Sequence, residues 1–280
     1  MVRAMASVDP APGAALADRP SRARAWYDAN ERMILGVAGI LLLLIAWEVL
    51  VATGQLNPQF SSSPSRVFKA GIGYFGSGSG LEDIKVTALE FAIGFSGAAV
   101  IGLGLGLLMG WYRRFEAVID PIFNFAYTSP RPALFPLFVI WFGIGIESKI
   151  ALVFVSTIFP VVIATAVGVK TVDRSLLNVA WSFNGSTGQV FRTIVLPSSV
   201  PHIVSGIRVG LGHALTAVIF GEMVVANMGI GYSMGVAANN FDTDLVFCGF
   251  ILVGAFGVTV AELLRRVEKR LETWRPDIHR

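Results

Sequence analysis

From Met33 to Thr53 the chain runs through Ile, Leu, Val, Ala and Gly with Glu48 its one charged residue. About 20 such residues in a helix cross the roughly 30 Å hydrocarbon core of a bilayer. A segment placed there must satisfy its own backbone hydrogen bonds, which restricts it to a helix or a closed barrel. Five more stretches have similar length and apolarity: Val86 to Gly110, Ala117 to Phe142, Ile150 to Val169, Ile203 to Val225 and Leu245 to Leu264. The expectation is an all-α polytopic membrane protein with six transmembrane helices. Composition agrees, since 54% of the 280 residues are apolar and 15% are charged, against about 25% charged in soluble domains. Cys248 is the single cysteine, so no intrachain disulfide can form, and three scattered histidines offer no metal-ligand spacing.

The net charge of +3 would suit a nucleic-acid partner, but the positions of the basic residues give it a topological meaning. With the amino terminus in the cytoplasm, the inside holds the arginines of the first 32 residues, Arg113 and Arg114, Lys170, Arg174 and Arg192, and the basic group from Arg265 to Arg280. The outside holds only Arg66, Lys69, Lys85 and Lys149. The positive-inside rule then places both termini in the cytoplasm, with no nucleic acid needed. Residues 1–32 read as a mobile cytoplasmic tail, 33–85 as an uncleaved first span with an external loop carrying an interfacial segment near Ser65 to Tyr74, and 267–280 as a cytoplasmic tail.

The loop at residues 171–201 is too long for a connector. Asp173 can cap a helix whose Leu176, Leu177 and Ala180 share a face, Gly185 can stop it, and Ser186 or Thr187 can start a second helix presenting Val190, Phe191 and Ile194. Pro197 and Pro201 then close the loop. Such a helical hairpin is either a docking element or a pair of helices resting on lipid headgroups.

The same stretch, LLNVAWSFNGSTGQVFRTIVLPSSVP from Leu176 to Pro201, resembles the EAA loop of the membrane subunits of bacterial ATP-binding-cassette importers. Ile194, Leu196 and Pro197 fall in register with that pattern and Ala180 matches. Asn178 stands in place of its Glu, Val179 in place of its first Ala, and Asn184 in place of its Gly, with Gly185 one position late. AWEVLVATGQLNPQFSSSPSRVF (Ala46 to Phe68), SPRPALFPLFVIWFGIGIESKI (Ser129 to Ile150), GIRVGLGHALTAVIFGEM (Gly206 to Met223) and FDTDLVFCGFILVG (Phe241 to Gly254) extend the likeness to the taurine, alkanesulfonate, nitrate and bicarbonate permeases. The resemblance implies a five-helix permease core, here 86–266, preceded by one extra helix. It also implies a bacterial inner-membrane location, a second permease copy by default, two cytoplasmic ATPases, and an extracytoplasmic binding protein that delivers a small anionic solute such as a sulfonate or nitrate. It makes Leu176, Leu177, Asn178, Ala180, Gly185, Phe191, Ile194, Leu196 and Pro197 the ATPase-coupling set. No Gly-Lys dipeptide occurs, so the phosphate-cradling G-x-x-x-x-G-K-[ST] loop is absent and ATP with its magnesium must bind on another chain.

Ionisable side chains in hydrocarbon cost about 2.5 to 3.5 kcal/mol on insertion scales and mark pathways or pairs. Arg131 lies between Pro130 and Pro132, with Pro136 a turn on. Prolines at this density break a span, which is tolerated only where backbone is buried in protein or lines a cavity. Ser129, Pro130, Arg131 and Pro132 are therefore expected along the pathway; Arg131 serves an anionic solute or pairs with a carboxylate such as Asp120. Arg208 should snorkel to the interface. His213 in mid-span belongs to the pathway set or makes an interhelical hydrogen bond; Glu222, also in the pathway set, and Glu48 lie near the outer ends of their spans, where a carboxylate reaches water, and form the outer mouth or merely face solvent. Gly102, Gly106 and Gly110, and Gly206 with Gly210, allow close helix contacts, within one chain or between two.

Two other function classes fit parts of the pattern. GFSG from Gly94 to Gly97, with His213, matches the serine motif of rhomboid-type intramembrane proteases. An ion-coupled secondary transporter would show broken helices in matching halves, and only the third span is proline-broken.

Overall fold

The computed structural model describes residues 22–271, with side chains over 30–268. Helices occur in the order α1 (Arg22–Ala52), α2 (Pro58–Ser61), α3 (Pro64–Gly76), α4 (Ser79–Trp111), α5 (Arg113–Thr128), a 3-10 turn (Arg131–Leu134), α6 (Phe135–Phe142), α7 (Ile146–Lys170), α8 (Arg174–Ser182), α9 (Thr187–Val190), a π turn (Phe191–Val195), α10 (Leu196–Val224), α11 (Ile230–Asn239) and α12 (Thr243–Leu271). Among the described residues there is no strand. The tail expected over 1–32 is helical from Arg22, and α12 extends to Leu271. Residues 1–21 and 272–280 of the two expected tails lie outside the described residues.

The chain divides into two units, one up to Gln55 and one from Leu56 onward. The first contains α1, apolar over Asn30–Ala52 and long enough to cross a membrane. It stops where Gly54 takes φ +74°. The Gly54 N–H then donates to the Val51 carbonyl at 3.1 Å and the Gln55 N–H to that of Leu50 at 3.1 Å, closing the helix end.

The second unit is built on α4, α7 and α10. Glycines on α4 set its distance from α7: a Cβ at Gly94, Gly102, Gly106 or Gly110 would meet Val153, Val161, Thr165 or Val169 at 2.5 to 3.1 Å. Both series ascend together, so α4 and α7 run parallel. Gly206 and Gly210 on α10 face Ala164 and Thr157 in descending order, so α10 is antiparallel to α7. All these glycines mediate packing within the chain. A core of Phe91, Phe95, Phe135, Phe138, Leu152, Val153, Leu211 and Val218 fills the space between α4, α6, α7 and α10.

Among the described residues five helices are long and apolar enough to cross a membrane, and Ala117 to Phe142 is not among them. The expected third span is instead two pieces, α5 and the apolar segment Arg131–Phe142. Because α4 and α7 are parallel, the chain has to return between them, and 113–142 is the only stretch available. The return between α4 and α7 is thus a broken one, as the prolines require. The expected interfacial segment is α3; the second expected span begins earlier than Val86, because α4 starts at Ser79 and its early residue Asp83 is already buried.

The prolines after the hairpin do not close it. Helical structure is continuous over Thr187–Val224. The π turn widens the backbone just before Pro197, so the Leu196 N–H reaches the Phe191 carbonyl and the proline ring is accommodated without a break. Arg208 pairs with Glu268 of α12 at 2.7 Å.

Candidate functional site

The hairpin is shaped by local chemistry. The Asp173 carboxylate accepts the Ser175 N–H at 2.8 Å and caps α8, a bond that holds its pKa below the usual carboxylate range. The reversal falls on Asn184, at φ +59°, one residue before the glycine expected to make it; Asn is the non-glycine residue best suited to that conformation. Gly185 is required for closeness instead, since its Cβ would lie 3.0 Å from the Ala180 carbonyl oxygen. Ser186 and Gln189 form a reciprocal capping box that starts α9.

Which side the hairpin shows differs from expectation. Val190 is buried, and Leu177, Phe191 and Ile194 pack with Val195 against Leu107, Trp111, Val169 and Val172; Phe191 meets the Trp111 ring edge-on at 5.2 Å. These residues secure the hairpin to the ends of α4 and α7. The outward apolar surface comes from Leu176, Val179, Trp181 and Phe183, which are 50%, 55%, 45% and 84% exposed. Asn178 is exposed beside them, Ala180 half-buried, and Leu196 and Pro197 half-buried within α10.

At the break between α5 and α6 lies a cavity of about 280 Å³, lined by Ser129, Pro130, Arg131, Pro132 and His213 together with Leu152, Ser156, Thr216, Ala217 and Phe220. Thr128 and Ser129 hydroxyls donate to the Asn124 and Phe125 carbonyls in the last turn of α5, at 3.0 and 2.9 Å. Pro130 is extended (φ −70°, ψ 98°) and turns Arg131 back along α5. The Arg131 Nη2 donates to the Tyr127 carbonyl at 3.1 Å, and the guanidinium carbon sits 5.0 Å from the Tyr127 ring centroid and 5.6 Å from that of Phe159. Asp120 is not its partner; that carboxylate accepts from Asn124 at 2.8 Å. Five of the expected pathway residues therefore share one cavity.

Glu222 is elsewhere. It is fully buried rather than open to water, because α11 folds over it. Its carboxylate accepts from the Thr87 hydroxyl at 2.6 Å and the Gly231 N–H at 2.7 Å, and Thr87 in turn accepts the Ile230 N–H at 3.0 Å. Beside it, Glu90 and Lys149, also buried, form an ion pair at 3.5 Å. Asp83 accepts the Gly229 N–H at 2.7 Å and the Ser233 and Tyr74 hydroxyls. Burial, then the Asp83 bond, pushes the Tyr74 phenol above its ordinary pKa. This network was not anticipated, although Asp83, Thr87 and Glu90, spaced four and three apart, mark one polar face on an otherwise apolar helix.

Residues 101–273 match the model of the family described as binding-protein-dependent transport system inner membrane component. The chain is 31% identical over 228 residues to a probable ABC transporter permease protein of Brucella melitensis, covering 81% of this chain and 92% of that one. It is 27% identical to the taurine transport system permease protein of Escherichia coli, covering 92% and 96% of the two chains, and 29% identical to the bicarbonate transport system permease protein of Synechococcus elongatus, covering 91% and 94%. The fold is similar to that of a chain of the MetNI methionine ABC transporter in an inward-facing conformation, with a TM-score of 0.56 at 16% identity, covering 71% of this chain and 97% of that chain.

Proposed function

We propose, from the premise that the chain belongs to the family of binding-protein-dependent transport system inner membrane components, a complete working arrangement for it. The chain is a membrane-spanning importer permease subunit. In the arrangement proposed, two copies sit in a bacterial inner membrane with both termini in the cytoplasm, above two ATPase subunits that bind ATP and magnesium. An extracytoplasmic binding protein delivers the solute to the opposite face, and nucleotide-driven motion of the hairpin opens the path alternately to each side. The single observation that carries the coupling role is the exposed apolar surface made by Leu176, Val179 and Trp181 of α8 and by Phe183 at its end. An apolar patch on a short polar-ended hairpin is what a protein partner covers.

The solute is a small anion. Relatives named for taurine and bicarbonate transport support this class, as does a cavity that holds Arg131 and His213 and no carboxylate. The family match favours the permease over the Ser96–His213 protease and over an ion-coupled transporter. Gly94 of the GFSG stretch has a packing reason of its own, since a Cβ there would meet Val153 at 2.7 Å. Mild-detergent purification of the chain from its native membrane, followed by mass spectrometry, tests the arrangement. It should recover an ATPase with a phosphate-binding loop in equal amount; repeated recovery of the chain alone would count against it.

A further inference from the structure

Two side chains in the cavity at the α5–α6 break have donors with nothing to bond. The Arg131 Nε is buried with no hydrogen-bond partner, and among the described residues its guanidinium donates only to the Tyr127 carbonyl. Ser156, 5% exposed, lines the same cavity, and among the described residues its hydroxyl has no partner. The other two hydroxyls there are already committed: Ser129 donates to the Phe125 carbonyl at 2.9 Å and Thr216 to the Gly212 carbonyl at 3.0 Å. A buried donor left unpaired is costly on a charged group such as the Arg131 guanidinium. The Tyr127 and Phe159 rings hold the guanidinium from two sides, so it is fixed in place before anything binds.

Apart from the His213 imidazole, the rest of the lining is apolar. Leu152 is 1% exposed and Ala217 6%; Phe220, Pro130 and Pro132 complete the wall. A cavity of about 280 Å³ is at the bottom of the ~300–1,000 Å³ range of ligand pockets, so the occupant has few heavy atoms. A bare inorganic oxyanion would engage Arg131 and leave the wall unused. We infer that this cavity is a solute subsite within the permease, selective for a small organic acid whose oxyanion head is held by Arg131 and Ser156 and whose carbon body rests on Leu152, Ala217 and Phe220. The inference rests on the importer reading above and makes Ser156 and Phe220 specificity-determining residues alongside Arg131.

The test uses the permease co-purified with its ATPase in lipid nanodiscs, with ethanesulfonate, butanoate and nitrate as probes in calorimetric titration and no binding protein present. Saturable binding of ethanesulfonate or butanoate is expected, with nitrate at least tenfold weaker, and the preferred head group identifies sulfonate or carboxylate chemistry. Ser156→Ala and Arg131→Gln should each weaken the organic probes by about tenfold or more, the scale of a hydrogen bond to a charged group. Phe220→Ala should weaken them while leaving nitrate unchanged, a shift in selectivity that loss of folding would not produce. Yield of co-purified ATPase reports folding for each variant and tests the importer reading separately. Absence of saturable binding with the ATPase present, nitrate binding as well as the organic probes, or binding indifferent to both Ser156→Ala and Arg131→Gln would overturn the subsite and leave the importer reading standing.

Discussion

Replacing Lys149 by Met should destabilise the protein far more than an exposed ion-pair change. Among the described residues Lys149 is the one cation in a buried group that also holds Glu90 and Glu222; its exposure is 4%, and neither glutamate is exposed at all. The Nζ lies 3.5 Å from Glu90 Oε1 and 3.5 Å from the Ile144 carbonyl oxygen, outside the ~2.7–3.2 Å of a strong N–H···O bond. Removing one member of a buried pair costs about 3–5 kcal/mol, and the long contacts put this case at about 3 kcal/mol. At roughly 2–4 °C per kcal/mol for a chain of this size, the expected fall in Tm is about 6–12 °C. The control is Arg66→Gln, which breaks the partly exposed pair with Asp244 and should cost less than about 1 kcal/mol. Thermal unfolding of the detergent-purified complex at one fixed scan rate measures all variants. Lys149→Met with Glu90→Gln should recover more than half of the loss, because the carboxylate that Lys149 pairs with is removed along with it. A Tm for Lys149→Met within about 2 °C of wild type, or a double variant no better than the single one, would refute the reasoning.

Gly106→Ala places a Cβ 2.5 Å from Thr165 Cβ and 2.8 Å from the Val162 carbonyl oxygen, whereas Gly104→Ala meets nothing within 4 Å. The first should cost about 1–3 kcal/mol and the second nearly nothing by the same unfolding assay. Phe183→Asp puts a charge on the 84% exposed end of the α8 face and should reduce co-purified ATPase without lowering the permease yield; unchanged recovery would remove that face from the contact. Asp173 has a lowered folded pKa through its bond to Ser175, so its cap is complete above the ordinary carboxylate pKa and is lost as pH falls through the lowered value. Proteolysis of the hairpin in purified complex should therefore be constant from pH 5 to 8 and rise only in stronger acid.

Much of the fold was legible because long apolar runs and prolines act locally. The broken third crossing followed from Pro130, Pro132 and Pro136, and the caps at Asp173 and Ser186 from residue type alone. Long-range closeness was less visible. Leu177 sits one position from Leu176 on a short helix with apolar residues on more than one side, and only the positions of Trp111 and Val169 decide which side is covered. Glu222 looks like a mouth residue in a linear reading because α11, which covers it, follows later in the chain. Ser156 is one of several small polar residues on α7, with Thr157 and Thr165, and its hydroxyl gains meaning only beside Arg131 across the cavity.

The most direct measurement is uptake of a small organic acid into proteoliposomes holding this chain with its ATPase, with ATP enclosed and the binding protein outside. Uptake should require ATP, the binding protein and an intact α8 face, and should fall with Arg131→Gln while the complex still assembles. Uptake by the chain alone, driven by an ion gradient and indifferent to ATP, would contradict an importer permease.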